Sequence, residues 1–348
     1  MSSITEVKEL LDFGEAAWAR GTGAALAVIT AVKGSAYRRP GAKILLTMDN
    51  RIEGTLSGGC LEGDLYLRAE RVIADQAATL VHYDLAEDAL WGLGIGCQGA
   101  LDVLVLPIAA HDQFWHQFRQ IAANRQPTVW IQELPAGRRS LWTWDQQRLG
   151  DALPEPLWSL AASHVAQRLG AKTVALGADI FFLDTLLPAP RLVVSGAGHD
   201  AVPMVRLAAS VGFEVTVLDP RSELNRPECL PQARRHLVLE PDQAQTSVPS
   251  DSFWLIMNHH LERDRQSIQL ALGAFPRWVG ILGPRQRTEQ MLGSLGLNFH
   301  SGPIVSPIGL DLGSETPDEV AISVVAQLLA ADRQKDGKPL HGRYRIHS

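Results

Sequence analysis

The chain has 348 residues, 46% of them hydrophobic and 20% charged, which suits two ordinary globular domains with cores of their own. A net charge of −6 offers no general polyanion-binding surface, so nucleic acid is not expected as a partner. Three cysteines, none in a Cys-x-x-Cys pair, close no disulfide framework, and the longest early apolar run, residues 24–32, is too short to cross a bilayer. With an acidic N-terminus that lacks a signal-like core, this predicts a cytoplasmic protein without membrane contact.

Residues 5–20 place Val7, Leu10, Leu11, Phe13, Ala17 and Trp18 at helical spacing, and Gly21-Thr22-Gly23 ends that helix. Strands are predicted over 25–32 and 43–48, and Asp49-Asn50 turns the chain into a hairpin partner over 51–56. The loop between the first two strands is polar and basic, with Arg38, Arg39 and Lys43 as a cation cluster. Ser57-Gly58-Gly59-Cys60 then opens a helix patterned by Leu61, Leu65, Leu67, Ala69, Val72 and Ile73. Cys60 would lie in its first turn, where the helix dipole favours a thiolate and Glu62 and Asp64 oppose it. A second glycine-dense loop, Gly94-Ile95-Gly96-Cys97-Gln98-Gly99, leads into a strand over 100–106. Glycines in both loops let a backbone and a thiol approach a ligand closely; the plain alternative is two structural cysteines beside tight turns.

The stretch 111–180 is less legible. It holds a hairpin over 128–134 and 140–144, and a strand follows over 181–185. Leu187-Pro188-Ala189-Pro190 reads as a linker, dividing the chain into a domain over 1–187, another over 188–335 and a polar tail over 336–348.

Beyond the linker the pattern is a strand over 191–195, Gly196-Ala197-Gly198-His199-Asp200-Ala201, a helix, a strand over 213–218 and then Asp219. This is the order of a dinucleotide-binding unit, with the acid about 20 residues past the glycines. Gly196 makes the turn, Gly198 admits a pyrophosphate, and Asp219 is positioned for ribose hydroxyls; Arg221 beside it also leaves room for a phosphate-bearing ligand other than NAD. Strands over 253–257 and 278–282 alternate with helices, and Thr316-Pro317-Asp318-Glu319 is a capping box for the last one. The fold class is therefore α/β: an N-terminal mixed α+β domain followed by a C-terminal Rossmann-like, doubly wound parallel sheet.

His259, His260, Glu262 and Asp264 follow a strand at the ligand-bearing rim, but without His-Glu-x-x-His spacing; one histidine touching a ligand is expected, not a metal site. Arg285 and Arg287 sit at the next strand-to-helix turn, placed either for an anion or for solvent. No nucleophile elbow and no Walker loop is present.

Several of these segments together resemble the XdhC/CoxI family of accessory factors for xanthine dehydrogenase and related molybdenum hydroxylases. They are residues 34–43, Gly54-Thr55-Leu56-Ser57-Gly58-Gly59-Cys60-Leu61-Glu62, and Gly92-Leu93-Gly94-Ile95-Gly96-Cys97 in the first half. In the second they are Val194-Ser195-Gly196-Ala197-Gly198-His199, Val217-Leu218-Asp219-Pro220-Arg221, residues 280–285 and residues 307–313. Residues 111–180 lie outside the resemblance, and Gln98 departs from it where a small residue is expected. The resemblance implies a protein that binds molybdopterin (the molybdenum cofactor), assists its sulfuration and inserts it into apo-xanthine dehydrogenase or a related hydroxylase. It implies a chaperone, not a catalyst, acting as a homodimer, with a cysteine desulfurase among its partners. The residues' own chemistry and the resemblance together make Cys60, Cys97, Gly58, Gly59, Arg39, Gly196, Gly198, His199, Asp219, His259 and Arg285 the expected cofactor-binding residues, and the resemblance implies molybdenum near Cys60, held through the pterin. Two other functions remain open from the residues alone: an oxidoreductase using NAD(P) or another nucleotide, with redox-active or structural cysteines, and a regulatory protein whose Rossmann domain binds nothing.

Overall fold

A computed structural model describes residues 2–34, 36–59, 61–84, 99–135 and 137–341. The chain forms two compact units, residues 1–188 and 189–348.

The first unit stacks two sheets. One has the strands β2 (Ala24–Gly34), β3 (Lys43–Thr47), β4 (Arg51–Gly54), β5 (Thr79–Asp84) and β6 (Gly99–Ile108), in the antiparallel order β4-β3-β2-β6-β5. The other is built around β11 (Asp179–Leu187), which pairs with β1 (Ser2–Ser3), β10 (Lys172–Leu176) and β7 (Thr128–Leu134); β8 (Arg139–Thr143) and β9 (Arg148–Gly150) extend it. Between the sheets, the apolar faces of α1 (Ile4–Ala19) and α3 (Gln113–Ala123) meet Leu26, Leu45 and Leu104 from one sheet and Trp130, Phe182 and Leu186 from the other. Helix α2 (Glu62–Asp75) covers the outer face of the first sheet, and α4 (Glu155–Ala166) that of the second. On α2, Leu65, Ala69 and Val72 are buried as expected, whereas Leu67 is 58% exposed because it lies off the i, i+4, i+7 stripe. The poorly legible stretch is thus half of a sandwich: the expected hairpin is present, and α3, β9, α4 and β10 are added to it.

The second unit is a six-stranded, all-parallel sheet with helices on both faces. Its strands are β12 (Arg191–Ser195), β13 (Glu214–Leu218), β14 (Arg235–Leu237), β15 (Phe253–Ile256), β16 (Trp278–Ile281) and β17 (Ile304–Val305). The order is β14-β13-β12-β15-β16-β17, so the winding reverses between β12 and β15. Helices α5 (Ala201–Ser210) and α8 (Pro317–Asp332) cover one face, α6 (Leu261–Gly273) and α7 (Arg285–Ser294) the other. The Thr316–Glu319 capping box starts α8 as the sequence predicts.

Candidate functional site

Every loop that carries a family motif in the first half leaves the same end of the five-stranded sheet. At that end β2 finishes at Gly34 opposite Gly99, the first residue of β6; Asp84, the last of β5, faces Ala100; and Gly54, the last of β4, faces Ile44 beside Lys43. The chain leaves at Gly34 and returns at Lys43, leaves at Gly54 for the Ser57-Gly58-Gly59 loop, and leaves at Asp84 to return at Gly99. Cys60 and Cys97, with Gln98, lie outside the described residues, but their flanks belong to this one edge.

The loop before α2 is tied by its own side chains. Ser57 donates to the Glu62 carboxylate (2.6 Å) and accepts from the N–H groups of Gly59 and Leu61 (3.2 Å each). Gly58 and Gly59 are exposed, and a Cβ added to either would meet nothing within 4 Å. Gly59 has φ +108°, which only glycine adopts readily, so the bare backbone is held open by local geometry. Asp64 in the first turn of α2 accepts from the Tyr83 hydroxyl at 2.6 Å, joining the flank of Cys60 to the end of β5 before residue 85. Burial, and then the Asp64 carboxylate, push the Tyr83 phenol well above its usual range.

Of the cation cluster expected over 38–43, one member is not at the surface. Lys43 is 1% exposed; its ammonium binds the buried Asp184 carboxylate of β11 and donates to the Gly41 carbonyl (2.8 Å). It is a cross-link between sheets, forced because a buried ammonium must be paired. Arg38 lies 3.9 Å from Glu6, and Arg39 is exposed, leaving it as the cation presented by this loop.

The sequence-predicted residues of the second unit gather at the C-terminal rim of its sheet. Gly196 has φ +117°, and a Cβ there would stand 2.6 Å from the Met257 carbonyl oxygen, so β12 and β15 leave space only for glycine. At Gly198 a Cβ would meet only the Asp200 carboxylate, at 2.9 Å. The amides of Gly198, His199 and Asp200, opening α5, meet no protein acceptor among the described residues. Their donors face the reversal point where open α/β sheets hold anionic ligands.

Across that point His259, left-handed at φ +53°, brings Nε2 to within 2.7 Å of Asp200 Oδ2, while His260 caps α6. His199 is exposed. Asp200 is a member that the glycine pattern did not single out; its offset from the second glycine is the available signal. Arg285 pairs with Glu289 (2.8 Å) and lies over the Phe299 ring (4.5 Å), and Arg287 clamps the buried Asp264 at 2.5 Å. Asp264 in turn accepts from the backbone and side-chain N–H groups of Asn258 (3.0 Å each). Among the described residues no three His, Cys, Asp or Glu side chains are arranged to hold a metal ion.

Asp219 is 1% exposed and saturated with donors. Oδ1 accepts from the Arg221 N–H and Nε (2.9 Å each); Oδ2 accepts from the Ala197 N–H (2.7 Å) and Arg221 Nη2 (2.6 Å). Burial pushes this carboxyl up, but the Arg221 and Ala197 hydrogen bonds outweigh it and hold the group below the usual carboxylate range.

Residues 17–84 match the XdhC and CoxI family, and residues 192–328 match the XdhC Rossmann domain. A relative from Bacillus subtilis (strain 168), described as a probable xanthine dehydrogenase subunit, is 30% identical over 319 residues, 88% of this chain and 92% of its own. The chain belongs to the XdhC and CoxI family. The molybdenum cofactor insertion chaperone PaoD of Escherichia coli (strain K12) is 23% identical over 327 residues, 92% of this chain and 87% of its own. The crystal structure of a xanthine dehydrogenase from Bacillus halodurans matches 99% of both chains with a TM-score of 0.79 at 28% identity. The full-length matches take in residues 111–180, so the sandwich half that the resemblance left uncovered is shared with these relatives.

Proposed function

We propose that this protein is an accessory factor that binds the molybdenum cofactor as cargo and delivers it to apo-xanthine dehydrogenase or a related molybdenum hydroxylase. The observation that carries the reading is the single sheet edge from which the basic loop, the Ser57-Gly58-Gly59 loop and the flanks of residues 85–98 all emerge. Arg39 supplies a cation there, and Gly58 and Gly59 supply bare backbone. Cys60 and Cys97 supply soft sulfur ligands of the kind a molybdenum centre accepts. In the second unit the N–H groups of 198–200, which meet no protein acceptor among the described residues, suit a phosphate. His259, steadied by Asp200, offers a polar edge beside it. When bound, the cofactor would supply a thiolate-accepting metal, which Cys60 and Cys97 of the first unit would hold.

Sulfuration falls within this role: the protein keeps its cargo bound while a cysteine desulfurase partner supplies sulfur. A cytoplasmic homodimer fits such an exchange. The test is anaerobic purification from cofactor-replete cells, followed by pterin and molybdenum analysis. Bound pterin in the wild type and reduced retention in Cys60→Ala and Cys97→Ala support the reading. A wild type free of pterin contradicts it, and unchanged retention in both variants removes the cysteines from it.

A further inference from the structure

The Rossmann acid cannot do here what such an acid does for a dinucleotide. A ribose diol is read by a carboxylate that accepts one hydroxyl on each oxygen. An ionised carboxylate offers about four acceptor sites, and those of Asp219 are filled by the Ala197 N–H and by three donors of Arg221. Two of the four come from the guanidinium, one on each oxygen, so a diol could reach the carboxylate only by displacing them. The guanidinium has five N–H groups. Two are spent on Asp219, and the others meet no protein acceptor among the described residues. The Arg221 side chain is 36% exposed, in contrast to the buried acid beneath it. Arg263, the other guanidinium near this pair, is committed to Glu240 through two hydrogen bonds of 2.9 and 3.0 Å.

We propose that Arg221 is the specificity-determining residue of the Rossmann crevice: it shields Asp219 from a ribose diol and presents its remaining N–H groups to a phosphate. The crevice therefore takes ligands that place a phosphate monoester beside β13 and excludes those that place an unphosphorylated ribose there. This rests on the reading of the rim as a ligand site and names what it selects. Asp219 becomes a positioning residue that fixes Arg221 against the glycine loop through Ala197.

The test uses the full-length protein and two probes that differ by one phosphate, NADP+ and NAD+, titrated by calorimetry with inorganic pyrophosphate as a third probe. In the wild type NADP+ is expected to bind more than about tenfold tighter than NAD+, the worth of one charge-assisted hydrogen bond. Arg221→Gln frees one acceptor position on each oxygen of Asp219, so NAD+ should gain and NADP+ should lose affinity, inverting the ratio. Should Arg221→Gln unfold, Arg221→Lys serves instead: it keeps the charge but not the two-pronged contact, and the ratio should fall without inverting. Equal or tighter NAD+ binding by the wild type overturns the proposal, as does a ratio unmoved in a folded variant. Failure to bind any of the three probes overturns it as well. Pterin retention is a separate readout: protein that retains pterin but prefers NAD+ sinks this inference alone, and protein that prefers NADP+ but retains no pterin sinks only the cargo reading.

Discussion

Replacing Lys43 by Met should be among the most damaging single changes in the first unit. The Lys43 and Asp184 side chains are 1% and 0% exposed, and their contact ties β3 of one sheet to β11 of the other. Lys43→Met keeps most of the side chain's length but takes the ammonium away from the buried Asp184 carboxylate. Breaking a buried pair this way costs about 3–5 kcal/mol. For a unit of 188 residues that is a fall of roughly 6–20 °C in the unfolding midpoint, at about 2–4 °C per kcal/mol. Tryptophan fluorescence is the appropriate probe, because seven of the nine tryptophans lie before residue 188. The double variant Lys43→Met/Asp184→Leu removes both charges with little change in volume and should recover most of the loss. The same lysine holds the Gly41 carbonyl, so the rescued double variant should still present Arg39 less accurately and retain cargo less well. A single variant that loses less than about 1 kcal/mol, or a double variant no better than the single, would show that this pair does not hold the two sheets together.

Gly196→Ala and Gly198→Ala should separate architecture from binding. At Gly196 an alanine must adopt φ +117° against the Met257 carbonyl, so the second unit should lose about 2–4 kcal/mol by denaturant unfolding. At Gly198 the added methyl meets only a movable carboxylate, so stability should hold while phosphate binding weakens; equal destabilisation by the two would contradict this. A pH effect should come from His164, which is 2% exposed and whose pKa is lowered by burial and then by the charge of Lys172. The unfolded chain binds the proton more readily than the folded one, so this contribution to stability is present above the ordinary value of 6.5 and is lost as pH falls through it towards the lowered one. Thermal midpoints followed between pH 7.5 and 5 should decline less steeply in His164→Gln than in the wild type; parallel slopes would rule His164 out.

The Rossmann unit is legible in the sequence because its signals are local. Strand, glycine turn, helix and acid follow one another within 30 residues, and Gly196 is required by one backbone contact. The Ser57-Gly58-Gly59 loop and the first helix are legible for the same reason. Lys43 is not, because its partner lies 141 residues away, and a lysine in a basic loop is ordinarily solvated. Residues 111–180 give little because the partners of their apolar faces lie far off in the sequence: α3 is buried between the two sheets and α4 on the outer face of the second. Phe114, Trp115, Phe118, Ile121 and Ala122 do recur at helical spacing on α3, but the packing of Trp115 and Phe118 on Trp130 of β7, at centroid distances of 6.0 Å, joins residues that no local pattern connects. The saturation of Asp219 is half visible: Arg221 stands two residues on, but only the fold shows that it takes both oxygens.

On the proposed function, the molybdenum cofactor is carried on the sheet edge from which the Arg39 and Ser57-Gly58-Gly59 loops leave. The most direct measurement is the pterin and molybdenum content of anaerobically purified wild type beside Cys60→Ala and Cys97→Ala. Pterin and molybdenum together are expected in the wild type, with a clear loss in the cysteine variants. Wild-type protein without either, purified from cells whose molybdenum enzymes are fully loaded, would contradict it.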